Sequence, residues 1–252
     1  MNYYNEYDPH AAAWIKELVK TGELPAGDVD ERSITEIKAH ELKGYTQCHF
    51  FAGIGGWSLA LRMAGWPDGR PVWTGSCPCQ PFSIANKNGG ALGLKDERHL
   101  WPVWNCLIGE CRPPVVLGEQ VPRAIKEGWL DAVFGDLEAA DYACGALVLP
   151  ANLFWADHER KRLFWLADAK REGRKGHEQI ERFLGSKGTP FAINGNALAH
   201  ARRALGLDFR DILPSDGVSL QVERNAVKGY GNAIVPEVAA RFIERIQGLV
   251  SV

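Results

Sequence analysis

Cys79 stands in a loop whose neighbouring residues would hold it rigidly. The sequence Thr-Gly-Ser-Cys-Pro-Cys-Gln-Pro-Phe-Ser at 74–83 follows an apolar stretch, and a proline lies on each side of the second cysteine. A thiol fixed above the end of a strand can act as a nucleophile once it is ionised. The alternative is a buried structural thiol, which is a common state of a free cysteine.

A carboxylic acid follows the next predicted strand along the chain. Glu119 comes directly after the apolar run at 115–117, in the sequence Gly-Glu-Gln-Val. Neighbouring strands of an open parallel sheet end at one crevice, so Cys79 and Glu119 are expected to share a site. A thiolate beside a carboxylic acid suits attack on an electron-poor ring that is protonated as the nucleophile adds.

A glycine-rich turn follows an earlier strand. The sequence Phe-Ala-Gly-Ile-Gly-Gly at 51–56 separates an apolar strand at 47–51 from a helical pattern that begins at Trp57. Glycines here allow a ligand to approach the backbone, and a helix N-terminus favours negative charge. A tight turn between strand and helix without any ligand explains the pattern equally well.

Short apolar strands alternate with helices along the chain. Further strands are predicted at 71–75, 114–118 and 163–167, and helices at 9–20, with Asp8 as N-cap, and from about Pro236. Alternation of this kind predicts an α/β fold, a doubly wound and mostly parallel sheet covered on both faces.

Composition excludes several classes of protein. The chain of 252 residues is 46% hydrophobic and 24% charged with a net charge of −2, which is typical of a globular protein. It contains no apolar run of the roughly 20 residues that a membrane span needs, and its N-terminus lacks a signal-peptide pattern. The six cysteines form no zinc-ligand spacing. We therefore expect a cytoplasmic protein with no membrane and no metal.

Five sequence motifs, and their order along the chain, resemble those of the cytosine carbon-5 DNA methyltransferase family. The family's nucleophile loop resembles Pro78–Ser83, and its Glu-Asn-Val element resembles 119–121 with glutamine in place of asparagine. Its Gln-x-Arg-x-Arg strand is similar to 158–162 with histidine in place of glutamine. Residues 94–98 and the sequence Gly-Tyr-Gly-Asn-Ala-Ile-Val-Pro at 229–236 resemble two further motifs. The resemblance covers about 45–168 and 229–245.

The resemblance implies a Rossmann-like fold that uses S-adenosylmethionine to methylate carbon 5 of a flipped-out cytosine. Cys79 would add to carbon 6 of the base, and Glu119 would bind the ring nitrogen and exocyclic amine. Arg160 and Arg162 would contact a base carbonyl or phosphate, although Arg162 could instead form a supporting ion pair. The target base must leave the duplex to reach the thiol.

One spacing departs from the family. Only 22 residues separate Gly56 from Cys79, where the family has two strands with acidic cofactor contacts. Residues 3–12 resemble the missing second motif and 27–29 the third, so the motifs are predicted to be circularly permuted. In that arrangement the strand at 3–6 would lie between the strand near Asp28 and the strand beginning at Gln47. An unrelated N-terminal extension is the alternative.

With the motifs permuted in this way, the sequence contains residues for a cofactor site. By resemblance, Glu6 would accept from the ribose hydroxyls and Asp28 from the adenine amino group. The turn residues Phe51, Gly53, Gly55 and Gly56 would face the methionine portion. Asn232, grouped with these cofactor-site residues, would order the loop near the nucleophile.

We expect a catalytic domain at 1–168, a small target-recognition segment at 169–210, and a return to the catalytic domain at 211–252. The expected partner is double-stranded DNA, bound by a monomer, in a compact enzyme of bacterial or phage origin such as restriction-modification systems contain. A basic stretch at 160–187, with nine Lys/Arg and four Asp/Glu, could follow phosphates. Two alternatives remain open: an RNA (tRNA) cytosine-5 methyltransferase and a non-catalytic DNA-binding remnant.

Overall fold

The structure, a computed structural model, describes residues 1–78, 100–150, 161–169 and 234–250. These residues form an α/β fold around one seven-stranded sheet, as the sequence predicts. The strands are β1 (Asn2–Asn5), β2 (Gly27–Asp30), β3 (Gln47–Phe50), β4 (Val72–Gly75), β5 (Val115–Gln120), β6 (Ala143–Pro150) and β7 (Lys161–Asp168). The helices are α1 (Pro9–Thr21), α2 (Gly56–Met63), α3 (Trp101–Cys111), α4 (Arg123–Lys126), α5 (Trp129–Ala139) and α6 (Pro236–Gln247).

The strands lie in the order β2-β1-β3-β4-β5-β7-β6. The strands from β2 to β5 are parallel, and β7 pairs antiparallel with both β5 and β6. The N-terminal strand β1 therefore lies inside the sheet, between β2 and β3, which is the position that the predicted permutation requires. Strand β6 and helices α4 and α5 are among the described elements that the sequence analysis did not predict.

The two faces of the sheet are covered by separate hydrophobic layers. In β5, Val115 and Leu117 pack with α2 and α6, whereas Val116 between them packs with α3 and α5. This alternation follows from the two-residue period of a strand buried on both sides. Tryptophans pack in this core, and Trp101, Trp104 and Trp165 are each at most 1% exposed.

Helix α1 begins and ends where its sequence dictates. Asp8 caps it, because its carboxylate accepts hydrogen bonds from the amides of His10 (2.9 Å) and Ala11 (3.0 Å), and Pro9 occupies the first turn. Gly22 ends it in the left-handed region at φ 82°. The loop that follows leads into β2.

One connection between parallel strands has the opposite hand to the others. Helices α1 and α2 cover the same face, because Tyr4 packs on Ile15 of α1 and hydrogen-bonds Ser58 of α2 at 3.1 Å. Yet α1 links β1 to its neighbour on one side, whereas the α2 connection leads from β3 to its neighbour in the opposite direction. Two connections over one face that step in opposite directions have opposite hands.

The remaining connections identify the exception. The chain from β2 to β3 passes over the other face in two short 3₁₀ turns, Ile34–Glu36 and Ala39–Leu42, which pack with α3. The β4–β5 connection, where it is described, also lies on that face. Both step toward β6 and so share the hand of the α1 connection. Because right-handed connections dominate strongly, the α2 connection is the left-handed one.

A buried polar group lies beneath this connection. His49 of β3 is 1% exposed, stacks on Tyr4 at 5.0 Å between ring centroids, and shares a hydrogen bond with Thr74 through Nδ1 at 2.8 Å. Within the described ranges, Nε2 has no hydrogen-bond partner. Burial therefore lowers the pKa of His49 to about 3, and the imidazole is held neutral.

The buried histidine makes stability depend on pH. The unfolded chain binds a proton on His49 at a pKa near 6.5, whereas the folded protein does not until about pH 3. The free energy of unfolding should therefore fall as the pH drops below 6.5, by up to about 1.4 kcal/mol per pH unit from this residue. In urea unfolding between pH 6.5 and 5, His49→Gln should show a shallower pH slope than the wild type. His40→Gln, at an exposed position, should keep the wild-type slope; equal slopes for all three proteins would contradict the assignment.

Candidate functional site

The carboxyl ends of the four adjacent parallel strands β1, β3, β4 and β5 meet at one edge of the sheet. They lead, in that order, into Glu6, the turn at 51–56, the segment Ser76–Pro78 and the Glu119–Gln120 pair. Crevices of open α/β sheets form at such strand ends. The predicted site residues on these strands are therefore brought to a common edge.

The turn at 51–56 needs unusual backbone conformations. Phe51, Gly53 and Gly55 all have positive φ, at 51°, 58° and 87°. Space beside Gly53 is open, since no atom lies within 4 Å of where a Cβ would be, whereas a Cβ on Gly56 would meet Ile234 at 2.3 Å. The glycines thus serve both the turn itself and close packing of the C-terminal segment.

Glu6 contacts this turn directly. Its Oε2 accepts a hydrogen bond from the Gly53 amide at 2.6 Å, and its Oε1 accepts one from the Asp8 amide at 2.9 Å. Burial raises the pKa of Glu6 above its ordinary value, although these backbone hydrogen bonds oppose the shift. The structure therefore brings an acid from the N-terminal strand onto the glycine-rich turn.

Asp28 does not reach the same strand ends. It lies two residues before the end of β2, is exposed, and accepts a hydrogen bond from the Tyr45 hydroxyl at 2.5 Å. Asp30 occupies the carboxyl end instead, where its carbonyl accepts from the Glu6 amide at 3.0 Å. The sequence analysis named the acid next to glycine, and the register of β2 against β1 puts the acid two positions later beside Glu6.

Asp30 belongs to a polar group beside Glu6. Its carboxylate accepts hydrogen bonds from the Tyr3 hydroxyl at 2.8 Å and from the Arg32 guanidinium at 2.7 Å. Burial raises the pKa of Asp30, but the hydrogen bonds from Arg32 outweigh it and hold the pKa below its ordinary value. Tyr7, which follows Glu6, leaves a large aromatic ring 73% exposed at this edge.

Glu119 and Arg162 form an ion pair across two strands. The Arg162 Nε lies 2.7 Å from Glu119 Oε1, and the Glu119 residue is only 7% exposed. Pairing of β5 with the antiparallel β7 brings the two residues together. Of the two predicted roles for Arg162, the structure provides the supporting ion pair.

The segment before the predicted nucleophile is fixed at its base. Cys79 itself lies outside the described residues, but Cys77 precedes it closely and is buried. Burial raises the pKa of the Cys77 thiol strongly, so this thiol is held in its unreactive protonated form. Of the two cysteines in the loop, Cys77 is therefore unsuited to be a nucleophile.

Several predicted features lie outside the described residues. They include Arg160, Asn232 and residues 170–210 of the predicted recognition segment. Ile234 is described and lies against Gly56, so the chain shortly after Asn232 is next to the glycine-rich turn. Within the described ranges, no group of three or more His, Cys, Asp or Glu residues could hold a metal ion, and no helix is long and apolar enough to cross a membrane.

A family model described as C-5 cytosine-specific DNA methylase matches residues 71–206. No curated protein matches the chain significantly. A structure of the Dnmt2 methyltransferase from S. pombe is similar over 99% of both chains at 12% identity with a TM-score of 0.51, and this likeness shows the fold.

Two other solved structures are similar over part of their length. One, a DNA modification methyltransferase encoded within an E. coli prophage, is 17% identical with a TM-score of 0.42 over 86% of this chain and 58% of its own. The other, a DNMT2 variant from Spodoptera frugiperda, is 15% identical with a TM-score of 0.40 over 66% of this chain. The chain spans about half the length of that protein, at 49%.

The Glu119–Arg162 pair should contribute measurably to stability. Arg162→Gln should lower the free energy of unfolding by about 1–3 kcal/mol, because it removes a charged hydrogen bond from a buried carboxylate. Arg123→Gln, which breaks an exposed ion pair with Glu127, should change it by no more than about 0.5 kcal/mol. Urea unfolding measures both. Equal effects of the two substitutions would mean that Arg162 does not hold Glu119.

Proposed function

The chain belongs to the C-5 cytosine-specific DNA methylase family, and from that premise we propose that it methylates carbon 5 of a flipped-out cytosine in double-stranded DNA with S-adenosylmethionine. The observation that carries the proposal is the 2.6 Å hydrogen bond from the Gly53 amide to Glu6. It joins an acidic strand end to a glycine-rich turn, which is the arrangement that nucleotide-binding α/β folds use.

The described residues fit the cofactor. Glu6 has carboxylate lone pairs left to accept from ribose hydroxyls, since each oxygen can accept more than one hydrogen bond. Open space beside Gly53 leaves room for the methionine portion along the turn. When bound, S-adenosylmethionine supplies an electrophilic methyl group on sulfur.

The adenine end suits residues that the sequence analysis did not choose. Asp30, at the end of β2, lies closer than Asp28 to the strand ends where the adenine would bind. The exposed ring of Tyr7 offers a surface on which an aromatic base can stack. We therefore assign the adenine contact to Asp30 and Tyr7, and keep Glu6 for the ribose.

The base would be activated from the β4–β5 side of the crevice. The Cys79 thiolate would form a bond to carbon 6, and the electron pair of the 5,6 double bond would move to carbon 5, which then accepts the methyl group. Loss of the carbon-5 proton and release of the thiolate would restore the double bond. Glu119, oriented by Arg162, would bind the ring nitrogen and amine and so stabilise the adduct.

A cytosine stacked in a duplex cannot reach such a crevice, so the proposal includes base flipping. Arg160 and the basic stretch at 160–187 would contact the backbone, and residues 169–210 would read the target sequence. We propose a monomer on DNA, acting in the cytoplasm of a bacterium or as a phage-encoded protein of the restriction-modification type.

The decisive experiment is methyl transfer from tritiated S-adenosylmethionine to unmethylated duplex DNA and, in parallel, to tRNA. Nucleoside analysis should find 5-methylcytosine in the DNA. Label in tRNA alone would establish the RNA-modifying alternative, and label in neither would favour a non-catalytic DNA-binding protein.

The two cysteines of the nucleophile loop should behave differently. Cys79→Ser should abolish detectable methyl transfer while cofactor binding is kept, because an alcohol is a much weaker nucleophile than a thiolate. Cys77→Ala should keep most of the activity, since the Cys77 thiol is buried and protonated. The reverse pattern, an active Cys79→Ser and an inactive Cys77→Ala, would falsify the assignment of the nucleophile.

The cofactor site should depend on the N-terminal strand. Glu6→Ala should weaken S-adenosylmethionine binding by about 1–3 kcal/mol in calorimetry, because the ribose hydroxyls and the Gly53 amide lose their acceptor. Asp30→Asn should weaken it too, and Asp28→Asn, whose position lies away from the strand ends, should not. A normal dissociation constant for Glu6→Ala would place the cofactor elsewhere.

A further inference from the structure

Ser76 and Cys77 each accept a hydrogen bond from a side chain of another element, one on either side of the segment. The Trp57 indole Nε1 donates a hydrogen bond to the Ser76 hydroxyl at 3.1 Å, and the Gln120 side-chain Nε2 donates one to the Cys77 carbonyl at 3.3 Å. Trp57 belongs to the helix that follows the glycine-rich turn, and Gln120 follows Glu119 at the end of β5. One side chain thus comes from the cofactor side of the crevice and the other from the base side.

The side chains of Trp57 and Gln120 are themselves held in place by their surroundings. Trp57 is 2% exposed and packs edge-on against Phe164, with ring centroids 6.0 Å apart. Gln120 is 2% exposed, and its Oε1 accepts a hydrogen bond from the Val121 amide at 2.9 Å. A buried amide whose donor and acceptor are both engaged has one orientation, so its contact with Cys77 defines a fixed point.

We propose that Trp57 and Gln120 are positioning residues that set where the Cys79 sulfur lies relative to the cofactor turn and to Glu119. This inference rests on the proposed function. Neither residue touches the reacting atoms; each acts through the backbone immediately before Cys79.

The proposed reaction requires the loop that carries Cys79 to be held in one position. The sulfur must reach carbon 6 of the base while carbon 5 faces the methyl group, so one loop must satisfy two distances at once. Misplacing a reacting group by about 1 Å can cost on the order of 100-fold in rate.

The length of the Gln120 side chain is part of the argument. An asparagine, which the resembling family has here, is one methylene shorter. From the same backbone position it would fall short of the Cys77 carbonyl, which Gln120 reaches at 3.3 Å. The glutamine is therefore matched to the loop of this particular chain.

The test compares steady-state kinetics of three single variants with the wild type. Trp57→Phe keeps an aromatic ring but loses the N–H, Gln120→Met keeps length but loses both hydrogen bonds, and Ser76→Ala removes the acceptor at a half-buried position. We expect kcat to fall by about 10-fold to 100-fold, with the KM for nucleic acid and the cofactor dissociation constant changed less than about 3-fold. The substrate is duplex DNA or tRNA, whichever the wild-type protein methylates.

A double variant and a control separate positioning from stability. Trp57→Phe combined with Gln120→Met should lose less activity than the product of the single losses, because the two side chains hold adjacent residues of one loop. Trp129→Phe removes a buried indole whose N–H has no partner within the described ranges, and it should lower Tm without changing kcat.

Each outcome decides the inference. Variants that lose Tm but keep kcat would show a purely structural role and overturn it; if the two core variants fail to fold, the Ser76→Ala kinetics decide alone. Methyl transfer by the wild type with unchanged kcat in every variant would overturn this inference and leave the proposed function standing. No transfer by the wild type to either nucleic acid would overturn both.

Discussion

The placement of the N-terminal strand inside the sheet is the constraint on which the rest of the structure depends. All four residues of β1 are buried, and they pair with β2 on one side and β3 on the other. Without β1, β2 has no partner strand and β3 keeps only β4, and Glu6 cannot reach the Gly53 amide. A segment at the very start of the sequence therefore completes both the sheet and the candidate cofactor site.

The permuted order has a topological consequence. Because β1 and β2 precede the glycine-rich turn and lie on one side of β3, the chain passes from β3 directly to β4 over a face that α1 also covers. The result is a left-handed connection, which is rare. Strong anchoring accompanies it: Arg62 of α2 donates to the carbonyls of Gly22 (2.7 Å) and Glu23 (3.0 Å), and α6 packs along α2.

The edge of the sheet combines two kinds of polar contact. On one side, Glu6 accepts hydrogen bonds from the Gly53 and Asp8 amides and keeps further lone pairs available to a ligand, and beside it the Asp30 carboxylate accepts from Tyr3 and Arg32. On the other side, Glu119 is tied to Arg162 and Gln120 to Cys77, in surroundings where each group is largely buried. Hydrogen bonds in such surroundings are strong and leaving them unmade is costly, so they hold geometry well.

The sequence by itself determined the fold class and most of the elements that build it. The α/β class, the capped helix at Pro9 and the four strands β3, β4, β5 and β7 follow from local periodicity, capping and turn residues, which act over a few positions. The permutation was also predicted from the sequence. The spacing between Gly56 and Cys79 is too short for two strands, and the N-terminal segment contains motifs that resemble the missing ones.

Only the tertiary structure decided which residues meet. The position of Asp30, rather than Asp28, at the carboxyl end of β2 depends on strand register, and the pairing of Arg162 with Glu119 depends on β7 running antiparallel to β5. The hydrogen bonds from Trp57 to Ser76 and from Gln120 to Cys77 join residues that lie 19 and 43 positions apart in the sequence. No local pattern encodes such contacts, because they arise only when distant strands are aligned side by side and their side chains are buried together.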